Sequence, residues 1–171
     1  YALARREKKT GEGYVGFMFD WRDVSLDEDL ERRDLTINSI AMRRMEDTEF
    51  FVEGDEGHFA VYDPFGGKDD ILAKVLRHTS DAFMEDPVRV LRIARFRARF
   101  GSDWTVAPET VAAVSRMSKK GVLSELKPDR VWKEFSRAMM EPNPRLFFDT
   151  LLQMDALHTT FPMIYKLLTA L

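Results

Sequence analysis

Apolar residues recur every three to four positions through the second half of the chain, the period of helices with one face turned to a core. The pattern predicts helices over 87–100, 108–117, 128–140 and 144–154. Each opens on proline, which suits a first turn because the missing N–H has no helical partner there. Asp86 is placed to cap the first helix and Gly101 to end it, and Gly121 stands just past the second. Asp129 falls in the first turn of the third, where the helix dipole favours a carboxylate.

The first half lacks that period. Tyr1-Ala-Leu-Ala-Arg5 alternates weakly and reads as a strand. The basic run Arg5, Arg6, Lys8 and Lys9, followed by Gly11, Gly13 and Gly16, reads as a loop: either a solvated hairpin tip or a phosphate contact. Ser25 with Glu28 three residues on fits a capping box, starting a short acidic helix to about residue 32. Residues 34–43 read as a second helix or turn. Strands are expected over 50–52 and 59–62, a turn at Asp63-Pro-Phe-Gly-Gly67, a short helix over 68–72 and an extended piece over 74–77. The fold class is α+β: short strands and helices first, then an all-α bundle.

Composition narrows the chemistry. The absence of cysteine excludes disulfides, thiolate zinc sites and Cys nucleophiles. A net charge of −3 excludes a wholly basic nucleic-acid coat but leaves room for a local basic face. No apolar run reaches the roughly 18 residues that span a bilayer. The chain opens on Tyr1, not Met, and on a strand, and is expected to be an internal piece of a longer cytoplasmic protein.

That local face lies on the 87–100 helix. At 100° per residue, Arg89, Arg92, Arg95 and Arg99 fall within about a third of its circumference, opposite Val90, Leu91, Ile93, Ala94 and Ala98. Aligned arginines repel unless anions lie against them. Those anions are either protein carboxylates, such as Glu85 or Asp149, or bound phosphates, for which guanidinium is well shaped. Arg32-Arg33-Asp34 with Thr36 and Asn38 has the same two readings: satisfied charges at a helix end, or a triphosphate and sugar site. Asp63-Pro-Phe-Gly-Gly-Lys68 lacks Walker spacing and reads as a turn entering a helix. His58, His78 and His158 are too scattered for a metal or base role, and Trp104 and Trp132 read as core.

In order and spacing, several strings resemble the bacterial-type (class II) tRNA nucleotidyltransferases, the CCA-adding enzymes of the poly(A) polymerase superfamily. They are Tyr1-Ala-Leu-Ala-Arg-Arg-Glu-Lys-Lys9, Arg32-Arg-Asp-Leu-Thr-Ile-Asn-Ser-Ile-Ala41 and Asp63-Pro-Phe-Gly-Gly67. Leu76-Arg-His78, Phe83, Glu85-Asp-Pro-Val-Arg-Val-Leu-Arg-Ile-Ala-Arg-Phe96 and Pro128-Asp-Arg-Val-Trp-Lys-Glu134 continue the match.

The resemblance implies the end of a nucleotidyltransferase head over 1–84, a nucleotide-selecting helical neck over 85–140 and the start of a helical body over 141–171. It implies addition of CMP, CMP and AMP to a tRNA 3′ end from CTP and ATP. Arg33 would touch the nucleotide's sugar and phosphates, with Asp34 and Asn38 also among the nucleotide-binding residues. Asp86 and Arg89 would pair with the base as an amino-acid template, oriented by Glu85, and Arg92 and Arg95 would contact phosphates. The Asp63–Gly67 turn resembles the family's region that helps switch from CTP to ATP. In the family the Asp-x-Asp ligands of Mg²⁺ lie upstream of the Tyr-Ala-Leu-Ala strand. No catalytic or metal-binding residue is therefore expected within these residues, and the isolated chain is expected to be inactive. The alternatives are a poly(A) polymerase, which shares the motifs, and a non-catalytic nucleotide- or RNA-binding module.

Overall fold

Ser25 sits in extended backbone. Its hydroxyl accepts the Glu28 N–H at 3.2 Å, and the Glu28 carboxylate accepts the Ser25 N–H at 3.0 Å. This reciprocal cap starts α1 (Leu26–Glu31), as the Ser-x-x-Glu spacing predicts. The computed structural model describes residues 6–9, 17–20, 24–44 and 59–170, and the strands expected over 1–5 and 50–52 lie outside them. Arg6–Lys9 is β1, antiparallel to β2 (Phe17–Asp20). Arg6, Lys8 and Lys9 of the basic run are thus in strand where a loop was expected, because their backbone finds a ladder partner that these residues do not advertise, and the rest of the expected loop lies outside the described residues.

Beyond α1 a single 3₁₀ turn, Thr36–Asn38, leads into β3 (Ala41–Arg44), antiparallel to β4 (Phe59–Tyr62). Of the helix or turn expected over 34–43, only this turn forms, and strand begins at Ala41. The Ser39 hydroxyl, fully buried, draws in the Leu30 and Leu35 carbonyls at 3.0 Å each and fixes the backbone there. The Asp63 carboxylate accepts the N–H groups of Gly67 and Lys68, both at 2.8 Å, and so starts α2 (Gly67–Ala73). β5 (Val75–Leu76) then pairs in parallel with β6 (Thr105–Val106), a short strand inside the half expected to be wholly helical.

Between those strands a 3₁₀ turn at Asp81–Glu85 feeds α3 (Val88–Phe100), which ends at Gly101 with φ +98°. Then come α4 (Pro108–Lys119), α5 (Pro128–Met139), α6 (Arg145–Gln153), α7 (Leu157–Thr160) and α8 (Pro162–Thr169). α3 is the central helix, packed against both α5 and α6. Its Val90, Leu91, Ile93, Ala94 and Ala98 are fully buried. One apolar cluster runs from Leu35 and Leu76 through α3 to Phe147, Leu151 and Leu157. Phe135, Phe147, Phe148 and Phe161 meet ring to ring with centroids 5.4–6.3 Å apart. Trp104 stacks on Phe100 at 4.6 Å, but Trp132 is 66% exposed and is not core. It projects from α5, with the Phe135 ring tilted beside it at 5.7 Å.

Candidate nucleotide-binding cleft

α1 ends at Arg32, and the chain then turns beneath the start of α3. The buried Asp29 carboxylate receives both Arg32 and Arg33, the latter at 2.9 Å. Arg33 also donates to the Asn38 carbonyl at 2.8 Å, which pins its guanidinium across the 3₁₀ turn. Asp34 is buried. One carboxylate oxygen accepts the Leu35 N–H and the Asn38 amide at 3.0 Å each, and the other accepts Arg92 Nε at 2.6 Å. Burial works against the charge on Arg92. The adjoining Asp34, by charge and hydrogen bond, with Glu134 and Asp86 farther off, outweighs burial and raises its pKa.

Asp86 stands at the head of α3. Its Oδ1 accepts the Val88 N–H at 3.1 Å. Arg130, in the first turn of α5, grips both oxygens with its two terminal nitrogens at 2.9 and 2.8 Å. Arg89 is held differently: its terminal nitrogens donate to the carbonyls of Ala82, at 2.7 Å, and Arg32, at 2.6 Å. A cleft of about 440 Å³ opens between these groups, lined by Arg32, Arg33, Asp34, Asn38, Asp86, Arg89, Arg92, Phe96 and Arg130. Five guanidinium groups against two carboxylates make it cationic. The Phe96 ring forms a wall beneath Arg92 and Arg95, whose guanidinium carbons lie 5.7 and 4.9 Å from its centroid.

The fold therefore brings together Arg33, Asp34, Asn38, Asp86, Arg89 and Arg92 from the residues singled out in the sequence. It places three elsewhere. Glu85 is exposed at the end of its 3₁₀ turn and makes no hydrogen bond or ion pair among the described residues. Arg95 is buried and donates to Glu134 at 2.8 Å and Glu141 at 3.4 Å, outside the cleft. Thr36 also points away, donating to the buried Asp70 at 2.6 Å. In the guanidinium row on α3, Arg92 and Arg95 thus have carboxylate acceptors, but these are Asp34, Glu134 and Glu141, not Glu85 or Asp149, and Arg89 donates to backbone carbonyls. Asp149 pairs with Arg145 on its own helix.

Arg130 and Phe96 were not foreseen as lining residues, whereas Arg32 belongs to the Arg-Arg-Asp constellation singled out in the sequence. Arg130 lies inside the 128–134 string, but nothing local marks it as the partner of a carboxylate 44 residues earlier. Among the described residues no group of three His, Asp or Glu side chains could hold a metal ion. Asp34 is taken up by Arg92 and Asn38, and Asp70 by Thr36 and Arg77.

Residues 3–77 match the family described as Poly A polymerase head domain, and residues 103–168 match Probable RNA and SrmB-binding site of polymerase A. The Multifunctional CCA protein of Shewanella denitrificans is 50% identical over 169 residues, 98% of this chain and 38% of that protein. This chain belongs to the class II CCA-adding enzyme family. A solved CCA-adding enzyme in an apo form superposes with a TM-score of 0.74 at 25% identity, over 95% of this chain and 35% of that one. A tRNA nucleotidyltransferase complexed with a primer tRNA and an incoming ATP analogue gives 0.65 at 30% identity, over 81% of this chain and 37% of that one. The chain thus spans less than two fifths of the length of these members of the CCA-adding family. No helix among the described residues is long and apolar enough to cross a membrane.

Proposed function

We propose that this chain is the nucleotide-selecting part of a tRNA nucleotidyltransferase that adds CMP, CMP and AMP to a tRNA 3′ end from CTP and ATP. In that reaction the tRNA 3′ hydroxyl bonds to the α-phosphorus of the nucleotide and pyrophosphate leaves. The observation that carries the reading is the convergence of Asp86 and Arg89 with Arg33, Asn38 and Arg92 around one cationic cleft. Guanidinium groups suit a triphosphate. A carboxylate beside a guanidinium suits the base. Cytosine and adenine each show an amino donor next to a ring-nitrogen acceptor, matching the acceptor of Asp86 and the donors of Arg89. Uracil and guanine turn a carbonyl toward the carboxylate, a mismatch worth about 1–3 kcal/mol per unsatisfied group. The similarity to a Multifunctional CCA protein, and to a tRNA nucleotidyltransferase solved with primer tRNA and an ATP analogue, supports tRNA, CTP and ATP as the partners.

Nucleotidyltransferases of the poly(A) polymerase superfamily generally use divalent metal ions, and we take the ion here to be Mg²⁺. The described residues do not fit such an ion. Their part is to bind, orient and select the nucleotide, and metal ligation falls to residues outside them. The same reading makes the protein cytoplasmic.

The test is incorporation of labelled CTP, ATP, UTP and GTP by the intact protein onto tRNA lacking its terminal CCA. The expected result is two cytidines and one adenosine, with Asp86→Ala and Arg89→Ala each losing that selection. Extended adenosine tails without cytidine would favour the poly(A) polymerase reading instead. Incorporation unaffected by either substitution would remove the template role from this cleft.

A further inference from the structure

Asp86, like Asp34, accepts three hydrogen bonds on its carboxylate, but it alone of the two stands at the head of α3. An ionised carboxylate offers about four lone-pair sites. On Asp86, Oδ1 accepts the Val88 N–H and one Arg130 nitrogen, and Oδ2 accepts the other Arg130 nitrogen. One acceptor direction therefore remains, on Oδ2. Arg130 is delivered by a rigid element, since α5 is tied to α3 by the buried Glu134–Arg95 pair at 2.8 Å. Glu85, which the family resemblance would make the orienting residue, is exposed and bonds to neither Asp86 nor Arg89.

We propose that Arg130 is the positioning residue for Asp86: by clamping the carboxylate and leaving it a single usable acceptor, it sets discrimination among nucleotide bases. The inference rests on the template reading above. A base amino group can donate to the one remaining lone pair. A base carbonyl placed there meets that lone pair head-on, and the clamped carboxylate cannot rotate away. Without the clamp, Asp86 regains its side-chain torsions and can turn from a carbonyl toward solvent, so uracil and guanine are rejected less strongly. The triphosphate keeps the other four guanidinium groups of the cleft, so whatever affinity it loses is shared by all four nucleotides. Lysine cannot replace the fork, because a single ammonium grips one oxygen at a time.

The experiment is equilibrium binding of ATP, CTP, GTP, UTP and inorganic tripolyphosphate to the intact protein. The variants are Arg130→Met, Arg130→Lys, Asp86→Asn and the double variant Asp86→Asn with Arg130→Met. Arg130→Met should narrow the preference for ATP and CTP over GTP and UTP by about tenfold, whereas tripolyphosphate, which has no base to select, should lose only the affinity owed to one guanidinium of the five. Arg130→Lys should narrow it in the same direction. In the Asp86→Asn background, Arg130→Met should alter the preference no further, because Arg130 acts through Asp86. An equal loss for all four nucleotides and tripolyphosphate would mark Arg130 as merely structural and overturn the proposal. So would an intact preference in Arg130→Met, or in Arg130→Lys should the methionine variant not fold, provided that Asp86→Asn collapses it. If Asp86→Asn itself keeps the preference, the template reading fails and this inference falls with it.

Discussion

Single residues in this chain differ sharply in how much they can be changed. A Cβ added at Gly67 would lie 2.3 Å from the Thr36 carbonyl oxygen and 2.9 Å from Ile40 Cγ1, so backbone must move. At Gly66 the space is open, and the constraint is only the left-handed φ of +71°. Gly67→Ala should therefore cost about 3 kcal/mol by overpacking, and Gly66→Ala about 1 kcal/mol through its backbone conformation. Urea midpoints of the two variants decide this, and equal losses would mean the Gly67 contact relaxes freely. Glu134 poses a different kind of demand. It is buried between Arg95 at 2.8 Å and Arg92 at 3.9 Å, so Glu134→Ala leaves two guanidinium groups short of a partner. The expected loss is about 3–5 kcal/mol, against under about 1 kcal/mol for Asp149→Ala in its exposed pair with Arg145. Comparable destabilisation by the two substitutions would show that the Glu134 pair is screened as well as a surface one.

Elements were legible in the sequence where a local signal made them. Proline starts, the Ser25–Glu28 box and the apolar period marked α1 and α3 to α6 to within a few residues, because capping and amphipathicity act over one or two turns. β5 falls in the extended piece expected over 74–77, but β6 and the parallel pairing left no trace: two residues are too few to show a period, and the pair joins residues 30 positions apart in the chain. The cleft divides in the same way. The sequence motifs pointed to Arg33, Asp34, Asp86 and Arg89, whereas Arg130 and Glu134 acquire their roles only when α5 packs on α3. A similar long-range tie joins the segment after β5 to α4. The His78 N–H donates to Thr110 Oγ1 at 3.1 Å, and its Nδ1 lies 2.7 Å from the same oxygen. Burial lowers the His78 pKa; Asp81 opposes this, and Arg77 and Arg116 reinforce it. The unfolded chain then binds more protons than the folded one between that lowered value and the ordinary value of 6.5. Stability should rise with pH across that window, be fully present above 6.5 and be lost as pH falls through the lowered value. Denaturant midpoints taken from about pH 7.5 down to about pH 5 test it, with His78→Gln expected to flatten the profile. A slope that survives His78→Gln would assign those protons to another group.

Across the whole molecule, α3 joins the nucleotide-binding cleft to the bundle. One face carries the arginines and Asp86 stands at its head, while the other is buried against α6. The apolar cluster is continuous from Leu35, beside the cleft's Asp34, to Leu157, so the cleft has no core of its own to fall back on. Damage to the bundle beyond α3 should then reach the cleft through stability alone, because none of Phe135, Phe147, Phe148 and Phe161 lines it. Phe147 is the sharpest probe. It is fully buried and meets Phe135, Phe148 and Phe161 within 6.3 Å. Phe147→Ala should cost about 3–5 kcal/mol, and nucleotide binding and thermal unfolding should be lost together at a lower temperature. At a temperature where the variant is still folded, its base preference should equal that of the parent protein. Loss of the preference while the fold persists would instead mean that α6 packing steers the Asp86–Arg130 clamp directly, and the cleft would then be a property of the whole bundle and not of α3 and α5.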